Sequence, residues 1–148
     1  MDGASRPSWD TVWMELALSL ARRSTCDRLS VGCVIVSPDN TRVLSLGYNG
    51  GPKGMSNKCL SNEPGACGHL HAEINALIKM PYESTNMSRM YVTTQPCYTC
   101  AVAIVNANIG EVVYGHKYRD MSGLELLWKC FQDDVDNRVR QFLPVDAT

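Results

Sequence analysis

Two short segments constrain this chain more than any others: His71-Ala72-Glu73 and Pro96-Cys97-Tyr98-Thr99-Cys100. Each opens a stretch with helical spacing of apolar residues. The first is stopped by Pro81, and the second follows Pro96, a residue suited to a helix start. Between them "RMYVTT" (Arg89–Thr94) reads as a strand. On the wall of a helix, positions two apart do not face each other. His71 and Glu73 can therefore serve one centre only from the first helical turn, with that centre off the helix end. Cys97 and Cys100 lie three apart on one face, and the partial positive charge of a helix start favours their thiolate forms. A fold that uses these side chains together must bring two helix starts to one point.

A histidine beside two thiolates makes a three-donor site for zinc, with the fourth tetrahedral position left for water. Two thiolates and a neutral imidazole cancel the charge of the dication. The ion still pulls the pKa of its water from about 15.7 toward roughly 7. Glu73, a carboxylate outside the ligand set, is the natural proton carrier. H-A-E followed by P-C-x-x-C is the signature of the zinc deaminases, and the two halves together are far more specific than either alone. A lone C-x-x-C could be half of a structural zinc site, a redox pair or two ordinary thiols. The redox reading fits poorly, because such a pair belongs to its own βαβ context without distant ligands.

The rest of the chain is compatible with an enzyme of this kind. Its 148 residues, 45% hydrophobic and 20% charged, predict one domain over 1–148 with its own core. With a formal net charge of −1, nothing broad and basic advertises a nucleic-acid surface. Arg22, Arg23 and Arg28 cluster instead, which suits a single phosphate. No long apolar run follows the polar start, so neither a signal peptide nor a membrane span is expected. A reducing compartment, the cytoplasm, follows, and there the seven cysteines read as metal ligands, catalytic groups or buried thiols.

Helical spacing runs from Trp9 to Arg23. Apolar runs at Val31–Val36 and Arg42–Asn49 flank "SPDNT", predicting a β-hairpin. Residues 50–70 are rich in Gly, Pro and Asn and have no period, so they need a function or an internal clamp. A strand at Glu111–Gly115 and a helix at Ser122–Phe131 complete the pattern, with the tail to Thr148 unassigned. The order α-β-β-α-β-α-β-α predicts a mixed sheet with helices on both faces.

From about residue 9 to 120 the sequence resembles the deoxycytidylate (dCMP) deaminases of the cytidine deaminase-like superfamily. The resemblance rests on "RSTCDRLSVGCVIV", "LGYNGGPKG", "HAEINAL" and "YVTTQPCYTCAVAIVNANI". It implies a three-layer α/β/α fold around a mixed sheet of about five strands. It also implies hydrolytic deamination of dCMP to dUMP, which supplies thymidylate synthesis. His71, Cys97 and Cys100 would hold the zinc, a zinc hydroxide would attack C4 of the cytosine, and Glu73 would shuttle the proton. Asn49 would bond the deoxyribose, Tyr118 would pack against base or sugar, and Arg28 would help bind the 5′-phosphate. Each of these three has a plainer rival: an Asn-Gly turn, an exposed loop aromatic, a solvated charge. Gln95 stands where a serine or an aromatic is more familiar in the family. Its carbonyl can still face the base, while its side chain bears on pocket shape and on monophosphate against triphosphate.

Of the remaining cysteines, Cys33 alternates inside an apolar strand and is expected to be buried, and Cys130 has no evident role. Cys26, Cys59 and Cys67 with His69 would form a closed Cys₃His set typical of structural zinc, clipping the 50–70 loop to the end of the first helix. Some members of the family carry such a second zinc. The resemblance further implies a homo-hexamer, activated by dCTP with Mg²⁺ and inhibited by dTTP, with Lys53 near the effector. The competing readings are deamination of dCTP, deamination of a polynucleotide base, and a non-catalytic zinc-stabilised binding module.

Overall fold

Strand-forming residues pair here into one sheet whose two faces are covered by different helices. The computed structural model of the protein describes residues 5–63, 66–81 and 87–145. The strands are β1 (Gly32–Val36), β2 (Val43–Tyr48), β3 (Arg89–Thr94), β4 (Glu111–His116) and β5 (Val139–Gln141). The helices are α1 (Trp9–Ala21), α2 (Ala72–Lys79), α3 (Tyr98–Asn106), α4 (Ser122–Cys130) and the short α5 (Val135–Arg138). The sheet order is β2-β1-β3-β4-β5. β1 runs antiparallel to β2 and β3, while β3, β4 and β5 are parallel.

Side chains alternate across the pleat, so each strand feeds two cores. Val34, Val36, Tyr91 and Val113 pack against Trp13, Met14 and Ala17 of α1. Cys33, Ile35, Met90, Val92 and Val112 face Ala72 and Ala76 of α2, Ala101 and Ile104 of α3, and Leu124 and Leu127 of α4. This is the expected three-layer α/β/α arrangement. β1 is buried along its whole length, as its unbroken apolar run requires.

The elements differ from the sequence reading mainly at their ends. Ser8 caps α1 by accepting the Thr11 N–H at 3.1 Å. The helix stops at Ala21 rather than Arg23, because the next amides turn back to carbonyls three residues behind: Arg22 to Ser19, Arg23 to Leu20, Ser24 to Ala21. In the hairpin, the Asp39 carboxylate gathers the Ser37 and Thr41 hydroxyls, and Asn40 takes φ +63°. The unassigned tail supplies α5 and β5. Three residues are too few to show a period, and β5 is held by its pairing with β4. Residues 1–4 and 146–148, at the two ends of the predicted domain, lie outside the described residues.

Topology then decides where a ligand can sit. The carboxyl ends of β3 and β4 reach one edge of the sheet, and β1, antiparallel to β3, begins there. Tyr48, the last residue of β2, pairs with Gly32, the first of β1, so the β2 end joins them. In α/β sheets the ligand crevice lies outside the carboxyl ends of the strands. Among the described residues, no helix is long and apolar enough to cross a membrane.

Candidate active site

The sheet fixes α2 tightly. A Cβ at Gly47 of β2 would lie 2.3 Å from the Ala72 carbonyl, so only glycine lets the helix approach this closely. The Ser45 hydroxyl donates to the Ala76 carbonyl at 2.6 Å, and the Asn75 amide donates to the Tyr48 carbonyl at 2.9 Å. His71 therefore stands as the N-cap of α2, with Glu73 in its first turn. Across the cavity, Cys97 is the N-cap of α3, and its sulfur accepts the Cys100 N–H at 3.5 Å. Pro96 sits one residue outside the cap rather than in the first turn, leaving the cap to the sulfur.

The structure brings His71, Cys97 and Cys100 together, with their donor atoms all within 4.8 Å of one another. His71 Nδ1 lies 3.3 Å from Cys100 Sγ and 3.5 Å from Cys97 Sγ. Zinc bonds of about 2.3 Å to sulfur and about 2.0 Å to nitrogen, at tetrahedral angles, require donors about 3.5–3.8 Å apart. The spacing fits. The charges point the same way. A hydrogen bond from Cys100, then one from His71, holds the Cys97 thiol down at about 4, against the opposing effect of burial. Cys100, as the donor to that sulfur and itself buried, is pushed well up. A dication held by both sulfurs would favour both thiolates. The hydrogen bond to Cys97 raises His71.

Glu73 is only 4% exposed. Burial pushes its carboxyl up to about 7, against opposing help from its own backbone amide and from His71. A carboxyl poised near neutrality beside a metal-competent triad can both take and give a proton.

These groups open onto a cavity of about 420 Å³ whose wall includes Arg28, Asn49, Gln95 and Tyr118. Arg28 is exposed and donates through Nη1 to the Asn62 carbonyl at 2.9 Å. Asn49 is buried and does not take positive φ, so the Asn-Gly turn reading fails. Its oxygen accepts the Val31 N–H at 2.9 Å and its nitrogen donates to the Leu29 carbonyl at 2.6 Å. These two bonds use the oxygen and one of two amide hydrogens. Tyr118 is 40% exposed on the loop after β4. Lys53 sits on an exposed turn and is not part of the cavity wall. Sequence reasoning missed what the Gln95 side chain does. It is buried and bonds the Tyr118 N–H and the Asp120 carbonyl. Asp120, which also lines the cavity, was missed too; its one signal was the Asp-x-Ser pattern, in which the carboxylate accepts the Ser122 N–H just before α4.

A second donor group lies on the same wall. Cys26, Cys59, Cys67 and His69 place one donor atom each within 4.8 Å of the others, with Cys26 and Cys59 sulfurs 3.9 Å apart. Both ring nitrogens of His69 are buried without a hydrogen-bond partner among the described residues. Burial raises the Cys26 thiol, but the Leu29 and Arg28 amides outweigh it and bring it down to about 7. The Gly50–Leu70 bridge closes the loop that carries three of these donors. Cys33 is fully buried and Cys130 exposed.

Residues 7–116 match the family model of the cytidine and deoxycytidylate deaminase zinc-binding region. The chain belongs to this family. Among its deaminase relatives, the deoxycytidylate deaminase of Schizosaccharomyces pombe is 41% identical over 154 residues, covering 94% of this chain and 45% of that protein. The deoxycytidylate deaminase of Mycobacterium phage D29 is 37% identical over 125 residues, covering 74% of this chain and 96% of that protein. The chain thus spans under half the length of the yeast relative and nearly all of the phage one. Among solved structures, the dCMP deaminase of cyanophage S-TIM5 in complex with dCMP and dUMP superposes with a TM-score of 0.74 at 31% identity. That match covers 88% of this chain and 94% of the phage protein.

Proposed function

We propose that this chain is a zinc-dependent deaminase that converts dCMP and water to dUMP and ammonia, with one domain over 1–148 carrying the activity. The observation that carries the reading is the buried Glu73 carboxyl beside the His71, Cys97 and Cys100 donors, at a cavity with an arginine on its wall. The family match and the deoxycytidylate deaminases among its relatives support the choice of substrate. His71, Cys97 and Cys100 hold the zinc, which supplies Lewis acidity that makes water nucleophilic near neutral pH. Glu73 accepts a proton from the attacking water, delivers it to N3 of the cytosine, and passes the next to the departing amine nitrogen. Asn49 bonds the deoxyribose with its remaining amide hydrogen, Tyr118 packs on base or sugar, and Arg28 binds the 5′-phosphate.

A second zinc belongs to Cys26, Cys59, Cys67 and His69, supported by the donor spacing and by the two buried ring nitrogens of His69, which have no hydrogen-bond partner among the described residues. Seven free cysteines suit the reducing cytoplasm. Control by dCTP with Mg²⁺ and by dTTP, and a homo-hexamer, rest on the family resemblance, and a role for Lys53 on its place in the "LGYNGGPKG" loop.

The deciding experiment measures ammonia release from dCMP, cytidine, dCTP, single-stranded DNA and tRNA, each with and without dCTP and dTTP. Turnover is expected for dCMP above all. Turnover of a nucleic acid alone would replace this reading. In Glu73→Gln, the rate should fall roughly 10²- to 10⁴-fold with zinc content unchanged. Loss of zinc in that variant would make Glu73 a ligand rather than the proton carrier.

A further inference from the structure

We propose that Gln95 is a positioning residue, a carboxamide brace that sets the Tyr118–Asp120 wall of the cavity at a fixed distance from the metal-donor turn. The inference rests on the dCMP reading above. Gln95 follows β3 directly and precedes Cys97 by two residues, and it is 4% exposed. Its backbone N–H donates to the His116 carbonyl at 2.8 Å, extending the β3–β4 ladder. The side chain then crosses to the loop after β4. Oε1 accepts the Tyr118 N–H at 3.1 Å, while Nε2 donates to the Asp120 carbonyl at 2.7 Å and lies 3.7 Å from Met121 Sδ.

The chemistry of the two partners explains why a carboxamide stands here. One partner is an N–H and the other a carbonyl, so the brace must accept at one end and donate at the other. An amide does both from one plane; a carboxylate only accepts, and a thioether supplies no N–H or O–H donor. The wall is pinned on its far side as well. The Asp120 carboxylate accepts the Ser122 N–H at 2.9 Å, at the start of α4. Gly123 of α4 is packed so tightly on the donor turn that a Cβ would lie 2.1 Å from the Pro96 carbonyl oxygen. The segment bearing Tyr118 is thus held at both ends to residues 95–97. Loosening it moves the nucleotide wall and leaves His71, Glu73, Cys97 and Cys100 where they are. The effect should fall on KM.

The test uses Gln95→Met and Gln95→Glu in the full chain, with kcat, KM for dCMP, zinc content and amide hydrogen exchange over residues 117–121. For Gln95→Met, KM should rise roughly tenfold, the size of one net hydrogen bond, with kcat within about threefold and zinc unchanged. The Tyr118 amide should lose its protection. Gln95→Glu keeps an acceptor for Tyr118 but sets a second acceptor against the Asp120 carbonyl at a buried position, so its KM should rise at least as far as that of Gln95→Met. It carries the test if Gln95→Met does not fold. An unchanged KM, or a collapse of kcat at constant KM, overturns the proposal. If the wild-type chain turns over no cytosine nucleotide, the dCMP reading fails, and exchange decides the brace: lost protection supports it and retained protection overturns it.

Discussion

The two donor groups share a cavity but stand on different kinds of structure. His71, Cys97 and Cys100 sit at the starts of α2 and α3, and those helix starts are set by the sheet through Gly47, Ser45 and the end of β3. Cys26, Cys59, Cys67 and His69 lie in segments without helix or strand. Their backbone ties are local, such as the Leu60 amide on the Cys67 carbonyl at 2.8 Å and the Gly50–Leu70 bridge. The first group has three donors and a buried carboxyl beside it; the second has four donors. Three donors leave a tetrahedral ion one open position, and four close it. The contrast teaches that the role of a cluster follows from its scaffold and its neighbouring acid, not from its cysteine count. A rigid scaffold can orient a reaction, whereas a cluster carried on loops suits the proposed role of clipping them together.

The largest effect should separate the clusters outright. Cys100→Ala should lower kcat/KM for dCMP by more than the roughly 10- to 100-fold typical of groups behind the ligands, and remove one zinc by metal analysis. Cys67→Ala should also remove one zinc but leave kcat nearly intact. Its cost should appear as a KM several-fold higher, because Arg28 bonds the Asn62 carbonyl in the same loop. If both variants lose kcat alike, the division of labour is wrong. Next comes the scaffold itself. Gly123→Ala forces a methyl against the Pro96 carbonyl and should cost about 1–3 kcal/mol in denaturant unfolding. Activity should fall with it, since that carbonyl precedes Cys97. An equally stable, fully active variant would mean α4 does not set the donor turn.

Each half of the first cluster was legible in the sequence because its geometry is local: spacing on a helix start fixes which way its side chains face, although the meeting of the two starts, 26 positions apart, belongs to the fold. The second was named from the sequence as a Cys₃His set, and the structure brings its four donors together, but spacing alone did not show that they converge, since the approach of Cys26 to a loop more than thirty positions on is a property of the fold. The three-layer class followed from apolar runs. β5 did not, because its three residues are defined by a neighbour rather than by a period. Gln95 stood out as an unusual residue, but its side-chain bonds go to backbone atoms of residues 118 and 120, which leave no trace in side-chain identity. Asp10 and Arg140 do meet through oppositely charged side chains, but 130 positions apart nothing in the sequence pairs this acid with this base.

That last pair supplies the smallest effect, and it probes the scaffold away from both clusters. Arg140 of β5 bonds Asp10 of α1 and Glu111 of β4, Glu111 pairs with Arg89 at 2.9 Å, and the Tyr91 hydroxyl donates to Asp10 at 2.6 Å. Arg89 and Glu111 begin β3 and β4, so the network sits at the end of the parallel strands opposite the cavity. Burial alone would raise the Asp10 carboxyl, but the Arg140 and Tyr91 bonds and the Arg140 charge hold it below its usual value. A folded pKa below the unfolded one, about 3.9, gives stability that is present above that pH and lost as pH falls through the folded value. Asp10→Asn should therefore lower stability at pH 7 by about 1–2 kcal/mol. Measured in denaturant melts, the gap to wild type should narrow below about pH 4. KM and zinc content should stay as they are. A shift in either would mean that the far end of the sheet reaches the cavity, and that the two clusters do not divide support and chemistry between them.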